Sequence, residues 1–147
     1  MSNAWLGLVV LSLPLLAGCG QSSAAQALPG SVVMGVIQLD GKPAVAARLR
    51  FIPIETTRGY GGHAFTDASG QYMVEGSAGT NQLPDGTYKV VVETFSPPED
   101  PELAKQFPAP AGKPTRIPAI YGDEGRTPLV AVVATDGAPI NLELKSR

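Results

Sequence analysis

The chain has 147 residues, of which 11 are Lys or Arg and 13 are Asp or Glu, so its formal net charge is −2 at pH 7. No basic stripe interleaved with aromatic residues is present, which argues against nucleic-acid binding. The single cysteine excludes an intrachain disulfide, so packing must stabilise the folded part. The length suits one domain with a hydrophobic core.

The beginning of the chain predicts export and a lipid anchor. An uncharged apolar stretch, Trp5 to Leu16, is too short to span a bilayer and is followed by small residues, which is the plan of a secretory signal. The ending Leu16-Ala17-Gly18-Cys19 resembles the lipobox of bacterial lipoproteins. That resemblance implies cleavage before Cys19, a diacylglyceryl group on its thiol and, usually, an acylated new amino terminus. An ordinary signal peptide with a chance cysteine is the alternative.

We therefore divide the chain into a lipoprotein signal peptide (1–18), a lipidated Cys19 with a flexible linker (19–31) and one β-sandwich domain (32–147). The linker from Gly20 to Ser31 has no charge and no β-branched residue, and as a flexible coil it spans on the order of 20 Å. A short helix through Ala24–Leu28, stopped by Pro29-Gly30, is the alternative. The predicted location is a membrane surface facing the periplasm or the cell exterior, with inner and outer membrane both open.

Beyond Ser31 the apolar residues alternate with a period of two, which predicts β-strands. Turn sequences such as Asp40-Gly41 and Asp136-Gly137 separate seven short runs, one of them at His63–Thr66. The residues predicted to face the core are Val33, Gly35, Ile37, Leu39, Ala47, Leu49, Phe51, Tyr72, Val74, Tyr88, Val90, Val92, Leu129, Ala131, Val133, Ile140, Leu142 and Leu144. No stretch has a helical period of useful length. We predict an all-β fold, a seven-stranded antiparallel β-sandwich.

Two segments interrupt this regular pattern. Residues 55–63 are rich in glycine, and residues 95–118 contain seven prolines. A loop as long as the second is usually functional or disordered when it occurs inside a compact domain. We expect it to run extended from one sheet to the other.

Five segments together resemble the bacterial carboxypeptidase regulatory-like domain, a transthyretin-like (Ig-like) β-sandwich. They are Val33–Pro43, Phe51–Pro53, Thr66–Tyr72, Leu83–Val90 and Ile117–Leu144. The resemblance implies the transthyretin-like fold and the role of an accessory module. It implies no activity, because fold does not determine function.

The sequence gives little support for catalysis. His63 is the only histidine, and a zinc or catalytic role normally requires partners such as a second His or a free Cys. The motifs Gly-x-Ser-x-Gly, His-Glu-x-x-His and a phosphate-binding glycine loop are missing. The acidic stretches Pro98–Glu102 and Asp123-Glu124 lack the ligand spacing of a calcium loop. We predict no enzyme, no cofactor and no metal site; an enzyme with an unfamiliar site is the rival hypothesis.

Aromatic residues in the irregular segments predict a binding site. Tyr60 and His63 lie in the glycine-rich segment and Tyr121 lies near the proline-rich one, and rings on loops at the end of a sandwich can stack on sugars or peptides. Arg48 and Arg50 are predicted to point outward and to serve solubility; contact with acidic glycans or lipid headgroups is the alternative. The predicted function is a lipid-anchored, non-catalytic interaction or structural module of the cell envelope. Its expected partners are the membrane, through Cys19, and an envelope protein or glycan; the alternative is a glycan-, peptide- or small-ligand-binding protein using loops 55–63 and 95–121.

Overall fold

The computed structural model describes residues 29–77, 79–106, 110 and 112–146, which form eleven β-strands and two short α-helices. The strands are β1 (Gly30–Val32), β2 (Met34–Leu39), β3 (Lys42–Pro43), β4 (Ala47–Pro53), β5 (Gly62–Phe65), β6 (Gln71–Met73), β7 (Glu75–Gly76), β8 (Gln82–Pro84), β9 (Gly86–Thr94), β10 (Val130–Val133) and β11 (Leu142–Leu144). The helices are α1 (Pro101–Gln106) and α2 (Ala119–Gly122). Within these ranges, neither helix has the length and apolar character needed to cross a membrane. The predicted signal peptide, Cys19 and the linker through residue 28 lie outside the described residues.

The strands form three sheets. The largest has five strands in the order β10-β9-β4-β5-β7. The second contains β11-β2-β3, with β6 also pairing with β2, and the third is the pair β1-β8. The all-β prediction is confirmed, and the arrangement is consistent with a sandwich.

Two details of the predicted sandwich need correction. The described residues contain eleven strands rather than seven: the predicted runs overlap β2, β4, β5, β6, β9, β10 and β11, and four further strands are two or three residues long. The pairing is also not entirely antiparallel, because β11 runs parallel to β2, with Leu142 opposite Ile37. A period of two determines which face a side chain occupies, but it specifies neither the partner of a strand nor its direction.

The hydrophobic core contains most of the side chains that strand alternation assigns to it, and Leu39, Leu129 and Ile140 pack against it while partly buried. In β4, Leu49 and Phe51 are buried, whereas Arg48 is exposed and Arg50, which lies between the two buried residues, is half-buried. The ring of Phe51 packs 6.1 Å from that of Tyr72 and 6.4 Å from that of Tyr88, between centroids. The Tyr88 hydroxyl donates a hydrogen bond to the carbonyl of Pro84 at 2.7 Å, so this buried ring keeps a polar partner.

The domain begins earlier than predicted. β1 pairs with β8 in the register Gly30↔Pro84, and the Ser31 hydroxyl donates a hydrogen bond to Asp85 at 3.2 Å. Gly30 and Ser31, assigned to the flexible linker from sequence, therefore belong to the fold. The predicted linker from Gly20 to Ser31 contains no β-branched residue, and the sequence pattern did not predict a strand at its partner β8.

The proline-rich segment does not cross between the sheets. It leaves β9 and returns as β10, which is the neighbour of β9 in the five-stranded sheet. It also contains α1, and α2 follows directly after it, although no helix was predicted. Six and four residues are too few to give a visible helical period. The segment is held to the fold by Thr115, whose backbone N–H donates to the carbonyl of Val45 at 2.8 Å and whose hydroxyl accepts from the Val45 N–H at 2.9 Å.

The turn predictions are confirmed at Asp40-Gly41 and at Asp67–Gly70. Asp40 and Gly41 have φ angles of 51° and 77°, which join β2 to β3 in a tight hairpin. The Asp67 carboxylate accepts hydrogen bonds from the backbone N–H groups of Gln71, at 3.0 Å, and Ser69, at 2.8 Å. These hydrogen bonds hold the pKa of Asp67 below its ordinary value.

Because two tyrosines are buried, we expect the free energy of unfolding to fall at alkaline pH. Burial raises the pKa of the Tyr72 hydroxyl well above its ordinary value of 10.0, and burial together with the charge of Asp85 raises that of Tyr88. In the unfolded chain these hydroxyls ionise near pH 10, while in the folded protein they stay protonated. The free energy of unfolding is therefore independent of them below pH 10 and falls as the pH rises above it.

Tyr72→Phe tests this expectation. The variant should lose about 1 kcal/mol at neutral pH, because the Tyr72 hydroxyl donates to the carbonyl of Ile140 at 2.6 Å. Above pH 10 its stability should fall less steeply than that of the wild type. Urea unfolding on both sides of pH 10 measures both effects, and Tyr60→Phe, at a side chain that is 77% exposed, is the control. An equally steep alkaline loss in Tyr72→Phe would contradict the assignment.

Candidate functional site

The three predicted ligand-binding residues do not form one site. Tyr60 is exposed, and His63 lies in β5 with 40% of its side chain exposed. Tyr121 is buried in α2: its hydroxyl accepts a hydrogen bond from the N–H of Lys145 at 2.9 Å, and its ring belongs to the core cluster. The prediction that Tyr121 presents its ring to a ligand is therefore wrong.

The two irregular segments nevertheless meet at a groove. Gly61, Gly62 and His63 line it from the first segment, Phe95, Ser96 and Pro98 line it from the second, and the outer face of the five-stranded sheet lies beneath. The groove has a volume of about 860 Å³, within the range of small-ligand sites. The sheet face contributes Arg48, Arg50, Ile52, Phe65 and Glu93 to the groove.

Strand register explains why these side chains share one face. Arg48 lies opposite Phe65 and Arg50 lies opposite His63 in the antiparallel pair β4–β5. Directly opposed residues of antiparallel strands point to the same side of the sheet. Arg48 also lies opposite Glu93 of β9, so the face continues across three strands.

Aromatic rings line one side of the groove. The rings of His63 and Phe65 are 6.1 Å apart, those of Phe65 and Phe95 are 5.2 Å apart, and both pairs pack edge to face. Phe95 is 8% exposed, and its backbone N–H donates to the carbonyl of Ala46 at 2.9 Å. The second segment is thereby fixed against the sheet at its first residue.

The groove is lined by two arginines and one carboxylate, Glu93. Neither Arg48 nor Arg50 forms an ion pair with a carboxylate of the described residues. Glu93 lies opposite Arg48 but beyond ion-pair distance of it, and its side chain also approaches α2, since a methyl group at Gly122 would lie 3.3 Å from Cγ of Glu93. The two guanidinium groups therefore remain available to an anionic ligand.

The imidazole of His63 lies near one carboxylate. Its Nε2 lies 3.9 Å from Oε2 of Glu75, its cross-strand neighbour on β7. The Ser77 hydroxyl at the groove donates to the carbonyl of Gly61 at 2.8 Å. Within the described ranges, no three His, Cys, Asp or Glu side chains converge as a metal site would require.

No protein-family model, curated protein or solved structure matches this chain. The groove is therefore interpreted from the geometry of this chain alone, and above all from the two arginines that form no ion pair among the described residues.

Sequence reasoning found part of this site and missed the rest. It placed His63 near the site and put Arg48 and Arg50 on the outward face, where it favoured a role in solubility over contact with acidic glycans or lipid headgroups. The spacing Arg48-x-Arg50 was the available signal for an anion site. The position of Phe95 beside Phe65 had no sequence signal, because the two residues meet only through the return of the chain after β9.

Proposed function

We propose that this protein is a lipid-anchored, non-catalytic interaction module of the bacterial cell envelope. The observation that carries the proposal is the single cysteine, Cys19, at the end of Leu16-Ala17-Gly18-Cys19 behind an apolar stretch. Lipid on this thiol would hold the chain at the membrane, facing the periplasm or the cell surface. Each buried methylene contributes about 0.8 kcal/mol, and more than one acyl chain gives stable anchoring.

The start of the fold supports this arrangement. β1 begins at Gly30, so the residues from Gly20 to Pro29 separate the lipid from the domain. As a flexible coil, a segment of that length spans about 17 Å. In this proposal the domain is a transthyretin-like, carboxypeptidase regulatory-like sandwich, a kind of accessory module.

The groove favours binding over a purely structural role. Residues from the two segments that lack regular strand pattern line it, and the sheet face beneath carries two arginines without an ion pair among the described residues. Unpaired cations on a sheet face suit recognition of an anionic partner.

Replacing Cys19 by serine tests the anchor. Wild-type protein from bacterial cells should sediment with membranes, carry a diacyl modification by intact-mass spectrometry and start at Cys19, without the fluorescence of Trp5. Cys19→Ser should carry no lipid, because serine offers no thiol for the thioether. If the variant is cleaved, it should be found in the soluble fraction instead of the membrane fraction. If it is not cleaved, it should retain Trp5.

Ser22→Ala, three residues further along the chain, is the matched control and should be lipidated like the wild type. A wild-type protein that starts upstream of position 19, or that carries a free thiol there, would refute the anchor.

A further inference from the structure

We propose that the groove binds an extended peptide with acidic side chains at every second position. This names the class of partner for the interaction module and rests on that proposed function. The partner segment would belong to another protein of the envelope and would lie along β4.

The spacing of the two arginines is the first argument. Arg48 and Arg50 are alternate residues of one strand, so their side chains leave the same face about 7 Å apart. Carboxylates two residues apart in an extended peptide have the same spacing and also share one face. Each guanidinium presents a planar fork that can hold a carboxylate through two hydrogen bonds.

Charge complementarity is the second argument. The carboxylate nearest in register, Glu93, packs toward Gly122, and Glu75 lies beside His63 instead. Glu93 also lines the groove, but neither guanidinium group is within ion-pair distance of it or of another carboxylate of the described residues. An acidic peptide supplies two charges at the positions where the fold leaves them unmatched.

The shape of the groove favours a chain over a flat surface or a sugar. The groove is a concave site lined from both irregular segments, which suits a single chain better than a planar array of lipid headgroups. Phe95 is nearly buried and packs edge to face on Phe65, so these two rings are engaged with each other rather than presented as a platform for a pyranose. Gly61 allows close approach of its segment, since a methyl group there would lie 1.9 Å from the carbonyl oxygen of Phe51.

The test is fluorescence anisotropy with the full chain, purified in a non-ionic detergent at physiological salt. The probe is a labelled hexapeptide of four threonines and two glutamates, the glutamates two residues apart. The control peptide has the same composition with the glutamates three residues apart, which places them on opposite faces of an extended chain. We expect saturable binding of the first peptide and at least about tenfold weaker binding of the second.

Variants of the protein locate the binding. Arg48→Gln and Arg50→Gln, each alone and combined, should lower the affinity, with a loss of about tenfold or more in the double variant. Lys89→Gln is the matched control, because Lys89 lies on the same sheet face, opposite Ile52, but does not line the groove. Its affinity should equal that of the wild type, and thermal unfolding checks that every variant is folded.

Several results would overturn the inference: no binding, equal binding of the two peptides, or an equal loss in Lys89→Gln. Preferred binding of an acidic oligosaccharide or of anionic lipid vesicles, dependent on the arginines, would also overturn it. Intact-mass analysis of the same preparation keeps the two proposals separate. Peptide binding by an unlipidated chain would reject the anchor alone, and a lipidated chain without peptide binding would reject the groove alone.

Discussion

Replacing Gly35 with alanine is expected to lower the free energy of unfolding by about 3 kcal/mol. A methyl group at this position would lie 1.9 Å from the carbonyl oxygen of Ile140 and 2.6 Å from its carbonyl carbon. Both atoms belong to the backbone, so no side-chain rotation can relieve the contact. The Ile140 segment would have to move away from β2.

That segment is held from two sides, which makes the movement costly. The Ile140 N–H donates to the carbonyl of Met34 at 2.8 Å, and its carbonyl accepts from the Tyr72 hydroxyl at 2.6 Å. Displacing Ile140 would weaken both hydrogen bonds and strain the parallel pairing of β11 with β2 immediately after it.

Urea unfolding followed by circular dichroism measures the Gly35→Ala effect. Gly125→Ala is the control, because Gly125 lies in an exposed turn and the nearest atom to an added methyl is the Asp123 side-chain oxygen at 3.3 Å. The control should stay within about 0.5 kcal/mol of the wild type. If Gly35→Ala proved as stable as the control, the close crossing of Ile140 over β2 would be wrong.

Thr66→Val is expected to cost about 3 kcal/mol. The Thr66 hydroxyl is buried; it donates to the carbonyl of Ala44 at 2.6 Å and accepts from the N–H of Ala47 at 2.8 Å. Valine has nearly the same shape but can make neither hydrogen bond. Since Ala44 and Ala47 are themselves buried, a carbonyl and an N–H would be left without partners and without water.

Thr66→Ser separates the hydrogen bonds from the packing. Serine keeps the hydroxyl and loses only a methyl group, so its cost should be about 1 kcal/mol. Chemical denaturation of the three proteins gives the comparison. A serine variant as unstable as the valine variant would show that the methyl contact matters and the hydrogen bonds do not.

The sequence was sufficient to predict the strands that bury one face. Leu49 and Phe51 in β4, and Tyr88 and Val90 in β9, are buried because alternation on a half-buried strand follows from the geometry of the extended chain. Local turn chemistry was equally informative at Asp40-Gly41, since a positive φ at both residues selects this pair.

Features that depend on distant partners were not predictable. The parallel pairing of β2 with β11 joins residues about a hundred positions apart, and no local pattern specifies it. Tyr121 was expected at the surface because it follows a loop, but its ring joins the core cluster and its hydroxyl bonds to the backbone of Lys145, 24 positions further along the chain. The groove was half predictable for the same reason: Arg48 and Arg50 share a face by periodicity, whereas Phe95 reaches Phe65 only in the folded chain.

The pairing of β1 with β8 gives the proposed anchor a mechanical consequence. Only three residue pairs join these strands, from Gly30↔Pro84 to Val32↔Gln82, and Val33, directly after them, is buried in the core. A force applied to the lipid would act on β1 before it acts on any other strand. Separation of β1 from β8 would lengthen the segment between the lipid and the domain by about 10 Å, and it would end at Val33. The linker would therefore extend under force while the core stays folded.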